Sequence, residues 1–301
     1  MRAFAEWVSG RAYRSILITA LLGLLSPAFA LSAPLVIPSA GVVILSGLRY
    51  GLRESLFVLA SAALLLGVSH SAFGAGATIA LALVIGLWLP GAGMAELLRR
   101  SRSLSLCLQV AVLGIAALAL LRFASGDPIA QMQVLLESKR ADLEGALQTQ
   151  VSAEAMAGLA RGLTAVAFGG AVAMLTASLL LGRWWETLIG APGTFAAEFR
   201  GLRMGTVLAI AFAVAVIAQF LTKSAVLDSL VCVLGVGFVF QGLAVLHAVA
   251  VAQGLSGGWI AALYVALVAT AFYAATIIGL VGWLDTWLDL RRRLQRTPKR
   301  R

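Results

Sequence analysis

The feature that most constrains this chain is a succession of apolar runs too long for a soluble core. Nine can be marked, at about 15–33, 35–48, 54–70, 75–95, 104–123, 159–182, 203–221, 225–251 and 257–283. Several exceed the ~18 residues that identify a membrane-crossing helix. Composition agrees: 61% of residues are hydrophobic, 12% are charged and the mean hydropathy is +0.97. An ordinary soluble domain has roughly 25% charged residues, and no soluble fold could cover this much apolar surface. Strand-like alternation is weak, which argues against a barrel. The expected fold is all-α: a polytopic helical membrane bundle of about eight full spans plus one partial or re-entrant segment.

One stretch breaks the pattern. Residues 122–161 carry Arg122, Lys139, Arg140 and Arg161 against Asp127, Glu137, Asp142, Glu144 and Glu154. The chain therefore divides into an N-terminal membrane block (1–121), an amphipathic extracytoplasmic insert (122–158), a C-terminal membrane block (159–283) and a basic cytoplasmic tail (284–301). Within the insert, Asp127-Pro128 reads as an N-cap followed by proline at the first helical position. Ile129, Met132, Leu136, Leu143, Leu147 and Val151 recur at helical spacing on one side. Such a helix lies on the outer membrane surface or across the mouth of the bundle, as a lid or as a plain connector.

Arginine placement sets the expected orientation. With the N-terminus in the cytoplasm, alternation puts Arg49 and Arg53, Arg99, Arg100 and Arg102, and Arg183, Arg200 and Arg203 all inside. Three further spans would then export the densest basic cluster, Arg291, Arg292, Arg293, Arg296, Lys299, Arg300 and Arg301. One of the last stretches must therefore fail to cross once. Either 225–251 bends at Gly235 and Gly237, or 257–283 is a hairpin or partly interfacial. The first residues imitate a secretory signal, with Arg2, Arg11 and Arg14 before Ile16 to Leu25 and then Ala28-Phe29-Ala30. Cleavage there would break the alternation, so a retained first span is expected.

The net charge of +10 is explained by these flanking arginines, and no nucleic acid partner is expected. Cys107 and Cys232 both fall inside apolar runs, which argues against a disulfide or metal site. Walker-type loops, G-x-S-x-G elbows and metal-spaced His/Glu pairs are missing from the sequence. An enzyme, a cofactor and a bound metal are therefore not expected.

Small residues at every fourth position give two candidate packing stripes, Ala165, Gly169, Ala173 and Ala177, and Gly74, Thr78, Ala82 and Gly86. Such stripes let helix backbones approach closely inside lipid. Polar residues within apolar runs are the candidate ligand contacts. Gln241 and His247 lie in the 225–251 stretch, which begins near Asp228 and carries Gly235, Gly237 and Gly242. Trp283 and Trp287 beside Arg291, Arg292 and Arg293 read as an interfacial anchor on anionic lipid.

Three segments carry a family resemblance: Gly47-Leu48-Arg49-Tyr50-Gly51, Phe240-Gln241-Gly242-Leu243-Ala244-Val245, and Gly279 to Asp285 followed by Asp289-Leu290-Arg291-Arg292-Arg293. Together they resemble the YybS-like family of bacterial multi-pass membrane proteins over nearly the whole chain. The first six spans are also similar in layout to the substrate-binding components of energy-coupling-factor transporters and to the rod-shape scaffold protein MreD. The first span, Ile16 to Ala33, lacks the Ala-x-x-x-Ala coupling motif of those transporter components. The resemblance implies a bacterial inner-membrane bundle with one of two roles. The expected role is a transport-related component that binds a small solute through Gln241, His247 and Asp228. The alternative is a non-transporting scaffold of the cell envelope that binds other membrane proteins or anionic lipid.

Overall fold

A computed structural model describes residues 1–25, 35–71 and 81–296 of the chain. Among the described residues every regular element is a helix. Where they fall on described residues, the nine apolar runs overlap helical segments. Among the described residues five helices are long and apolar enough to cross a membrane, and the count is six if the bent pair at the N-terminus forms one span. Those helices mark the chain as a membrane protein. The helices fall into two compact units, Met1–Ala111 with Ala173–Leu202 and Val112–Val172 with Arg203–Arg301. These units cut across the linear blocks read from hydropathy.

The first unit begins with α1 (Arg2–Ser9) and α2 (Ala12–Leu25), whose axes differ by 111°. A helix end leaves backbone carbonyls without intrahelical partners. Here side chains supply them: Arg14 donates to Trp7 O and Ser15 to Val8 O, at 3.1 and 3.0 Å. Helix α3 (Val36–Tyr50) runs into α4 (Leu52–Ser71) through the single residue Gly51. Its φ of +94° and ψ of 176° belong to a region that only glycine occupies readily. Helix α5 (Leu81–Ser101) contains a π turn over Val84–Trp88. Pro90 follows at once; its missing N–H and its ring disfavour the regular bond to the residue four before. The turn coincides with burial of Trp88, which packs with Val43, Val58 and Ala92.

Contacts tie several ends of the first unit together. Tyr50 Oη donates to Ser9 O at 2.7 Å. The Arg99 guanidinium lies beside Gly51, and the Phe4 ring meets Trp185 edge-on at 5.6 Å. These contacts bring the arginine-bearing ends 11–14, 49–53, 99–102 and 183 of the helices together at one end of the unit.

Helices α6 (Leu104–Ser125) and α9 (Ala153–Gly190) each contribute to both units. Between them lie α7 (Pro128–Glu137) and α8 (Arg140–Leu147). Asp127 caps α7 as read from sequence, accepting from Ile129 N at 2.9 Å and Ala130 N at 3.0 Å. The apolar stripe of the insert closes on the start of α9. Ile129, Met132, Leu136, Leu143 and Val151 pack with Met156, Ala160 and Leu163.

After α10 (Thr194–Arg200) the second unit continues with α11 (Thr206–Thr222), α12 (Ala225–Ala252), α13 (Gly257–Leu288) and α14 (Leu290–Arg296). Gly235 and Gly237 do not bend α12; Gly237 admits the Met204 and Val112 side chains. The irregularity lies in α13, where Ala271 has φ 14° and ψ −77°. Three helices separate Arg203 from Asp289, yet the two form an ion pair at 2.8 Å. Three complete crossings would leave their ends on opposite faces.

Candidate functional site

The second unit buries three large polar side chains together, Gln241, Asp285 and Arg291, at 1%, 0% and 7% exposure. Glycines make this possible. A Cβ at Gly242 would overlap the Ile278 carbonyl, and one at Gly282 would overlap the Phe238 carbonyl and Gly242 N. The two helix backbones are therefore in direct contact, a spacing that only glycine permits. Two of the three motifs behind the family resemblance meet at this crossing.

Gln241 uses both ends of its amide. Its Oε1 accepts from Met204 N at 2.6 Å. Its Nε2 lies 2.8 Å from Gly282 O, 3.1 Å from Thr286 Oγ1 and 3.3 Å from Asp285 Oδ2. One side chain on α12 thus ties the lead-in to α11 to the end of α13. Asp289 ends α13 in a left-handed conformation, with φ 45°. The chain then turns, and Arg291 comes back to Asp285 Oδ2 at 2.7 Å. Asp285 Oδ1 has no hydrogen-bond partner among the described residues. Outside this buried cluster, the Arg203 guanidinium, with Arg292 and Arg291 behind it, holds the Asp289 carboxyl below the usual carboxylate range.

This arrangement corrects one expectation. Arg291, read as a lipid-facing anchor, is buried in an ion pair because the turn at Asp289 directs it inward. Arg292 pairs with Asp289 at 3.1 Å, while Arg293 is exposed. Of the two tryptophans, Trp283 donates to Ala209 O at 2.9 Å and Trp287 is half-exposed beside it. Lys299, Arg300 and Arg301 lie outside the described residues.

The three residues read as ligand contacts do not converge. Asp228 stands near the start of α12, about 20 Å of helix from Gln241 at 1.5 Å per residue. There it accepts from Arg161 and Gln219, and Arg161 also donates to Lys223 O, so α9 is bound to the α11–α12 turn. His247 Nδ1 contacts Leu243 O at 2.8 Å within its own helix, and its ring meets Tyr264 edge-on.

The small-residue stripes behave differently from one another. Gly169 seats Cys232, whose Sγ would lie 2.6 Å from an added Cβ. Ala165 is buried, and Ala173 and Ala177 are half-buried. Ala82 is exposed and Gly86 has nothing within 4 Å of an added Cβ. The described part of that second stripe makes no close helix contact, because Gly86 lies in the π turn and faces outward. Gly74 lies outside the described residues. Sequence reading missed Asp285 as a partner of Gln241; Gly279 and Gly282 just before it were the available signal.

Chemically, the cluster joins helices through one amide and one ion pair, and leaves a single carboxylate oxygen able to accept a further donor or a proton. No protein-family model, no curated protein and no solved structure matches this chain.

Proposed function

We propose that this chain is a non-enzymatic, multi-pass scaffold of the bacterial inner membrane, binding other membrane proteins or anionic lipid. The observation that carries this reading is the state of Gln241. Its amide is used in full to hold α11, α12 and α13 together, so the best polar candidate for a solute contact is a helix clasp. Buried polar groups that join helices in lipid favour one fixed arrangement, which is what a scaffold needs. Two of the three segments that resemble the YybS-like family serve this same clasp. Both termini are cytoplasmic in this reading, with about eight full spans and α13 as the segment that fails to cross. The Arg203–Asp289 pair and the irregularity at Ala271 support that topology.

A second reading, a transport-related component that binds a small solute, is favoured by one atom: the buried, unpartnered Asp285 Oδ1. Thermal unfolding of the detergent-purified protein against pooled small solutes separates the two. The scaffold reading expects Gln241→Ala and Asp285→Asn to lower the transition without any solute present. It also expects mass spectrometry of the gentle extract to find protein subunits or lipid retained. A solute that stabilises the wild type and not Asp285→Asn would overturn it. Reporters fused after Gly254 and after Arg301 test the topology; a far-side signal from the second contradicts it.

A further inference from the structure

The elbow between α1 and α2 carries the chemistry that the lipid-binding part of the scaffold reading needs, and the inference drawn from it rests on that reading. Every charged residue of the first unit is an arginine or a glutamate, ten against five. The glutamates are largely consumed: Glu6 by Arg2, Glu96 by Arg99 and Arg100, and Glu186 and Glu198 by Arg183. Arg11, Arg14, Arg49, Arg53 and Arg102 form no ion pair with a described residue. Helix α1 buries Ala5, Val8 and Ser9 against the unit and leaves Phe4 and Trp7 outward. It lies 111° from α2, so that an α2 crossing the bilayer places α1 near the membrane surface.

The Arg14 guanidinium is held in place without a counter-charge. It sits 5.0 Å from the Trp7 ring centroid and 5.7 Å from that of Tyr13, and donates to Trp7 O and Tyr13 Oη. Tyr50 binds Ser9 O in the same elbow, with Arg49 over its ring at 5.6 Å. Trp7, Tyr13 and Tyr50 are all about half-exposed. Exposed tryptophan and tyrosine beside unpaired arginine is the composition that suits the headgroup layer, and a guanidinium fork matches a phosphate.

We propose that the α1–α2 elbow is a binding site for the phosphate headgroup of an anionic phospholipid, with Arg11, Arg14 and Arg49 as its cations. The lipid is the source; free phosphate lacks the acyl chains that Phe4 and Trp7 would meet. The test is thermal unfolding of the full chain in detergent, titrated with phosphatidylglycerol, phosphatidylcholine or inorganic phosphate. Phosphatidylglycerol should stabilise selectively. Combining Arg11→Gln, Arg14→Gln and Arg49→Gln should raise the lipid concentration for half-effect by at least ~10-fold, since each basic group near an anionic surface is worth about a fivefold change. Arg122→Gln with Lys139→Gln, a charge control on the insert, should leave it unchanged. Equal effects of the two lipids, an equal effect of phosphate, or retained selectivity in the triple variant would overturn the proposal. If the triple variant does not fold, Arg49→Gln alone should give a shift of about fivefold, and no shift would be equally decisive against it.

Discussion

The two units solve the same problem, joining helices where water is not the solvent, in different ways. The first unit uses hydroxyls and one indole. Ser39 donates to Thr19 O at 3.0 Å and accepts from Trp88 Nε1 at 3.1 Å, while Ser55 donates to Val43 O at 2.9 Å. Its glycines mostly admit side chains: Gly91 faces Ile44, Gly47 faces Ala95 and Gly23 faces Trp88, while Gly182 faces Ile44 and, more loosely, the Gly41 carbonyl. The second unit presses backbone against backbone at Gly242 and Gly282 and buries an amide with a complete ion pair. Many inexpensive contacts can each be lost at little cost. A concentrated clasp cannot, because removing one member strands the others in a low-dielectric interior.

The comparison is broken most severely at Asp285. Asp285→Ala removes the carboxylate that Arg291 pairs with in the interior, and breaking a buried pair costs about 3–5 kcal/mol. The expected outcome is loss of the folded second unit, read as proteolysis within α12–α14 and a lowered unfolding transition. Asp285→Leu combined with Arg291→Met should restore much of that stability, because the desolvation cost goes with the charges. A double variant as unstable as the single one would show that the ion pair is not the source of the effect.

Glycine substitutions sharpen the contrast. In Gly242→Ala the new methyl meets the Ile278 backbone, which cannot rotate away. Overpacking typically costs about 1–3 kcal/mol and more when backbone must move, so the upper end is expected. Gly182→Ala meets Ile44 Cγ2 and Cβ at 2.7 and 2.9 Å and the Gly41 carbonyl at 3.0 Å, looser than the overlap at Gly242, and should cost about 1–3 kcal/mol. Gly86→Ala has open space around it and should change stability by less than ~1 kcal/mol in either direction. Denaturation in mild detergent ranks the three, and a reversed order would dissolve the distinction drawn between the units.

These positions also show what the sequence could and could not announce. Apolar length is a property of each segment alone, so the long apolar runs were legible, whereas the short polar helices α1, α10 and α14 carried no such signal. The Asp127 cap and the apolar stripe of the insert were legible for the same reason, being local. Gln241 announced that it would be buried, but not with what: its carboxylate partner is 44 residues away and resembles a span-flanking charge. Arg291 resembled its neighbours Arg292 and Arg293 until the left-handed turn at Asp289 separated it from them. Alanine-rich helices offer many small-residue stripes, and only three-dimensional contact distinguishes Gly169, which seats Cys232, from Gly86, which faces outward.

The first unit should yield less to polar substitution. Trp88→Phe keeps most of the buried ring and removes the indole donor to Ser39. Interhelical hydrogen bonds in membranes average about 0.6 kcal/mol, with an upper limit near ~1.7. A loss of roughly 1 kcal/mol is expected, and Ser39→Ala in the Trp88→Phe background should add little more. Unfolding at the scale expected for Asp285→Ala would place a clasp in the first unit too.

The smallest effect belongs to a carboxylate–arginine pair of the second unit that stands in water. Glu144 accepts from Val151 N and from Arg140, both at 3.1 Å. The Val151 backbone bond first, and Arg140 second, hold the Glu144 carboxyl below the usual glutamate range. A carboxyl lowered in the folded state stabilises above its unfolded value and loses that contribution as pH falls through the folded one. The insert should therefore loosen only below the ordinary glutamate range, and only locally. The measurement is the amide-exchange protection of Val151, which should decline with acid in the wild type. Protection in Glu144→Gln should start lower and stay flat. Because solvent screens this pair, the global transition should barely move, whereas the same two chemical groups at Asp285 and Arg291 govern whether the unit folds. The difference between the pairs is burial, and a Glu144 variant as destabilising as Asp285→Ala would remove burial as the explanation.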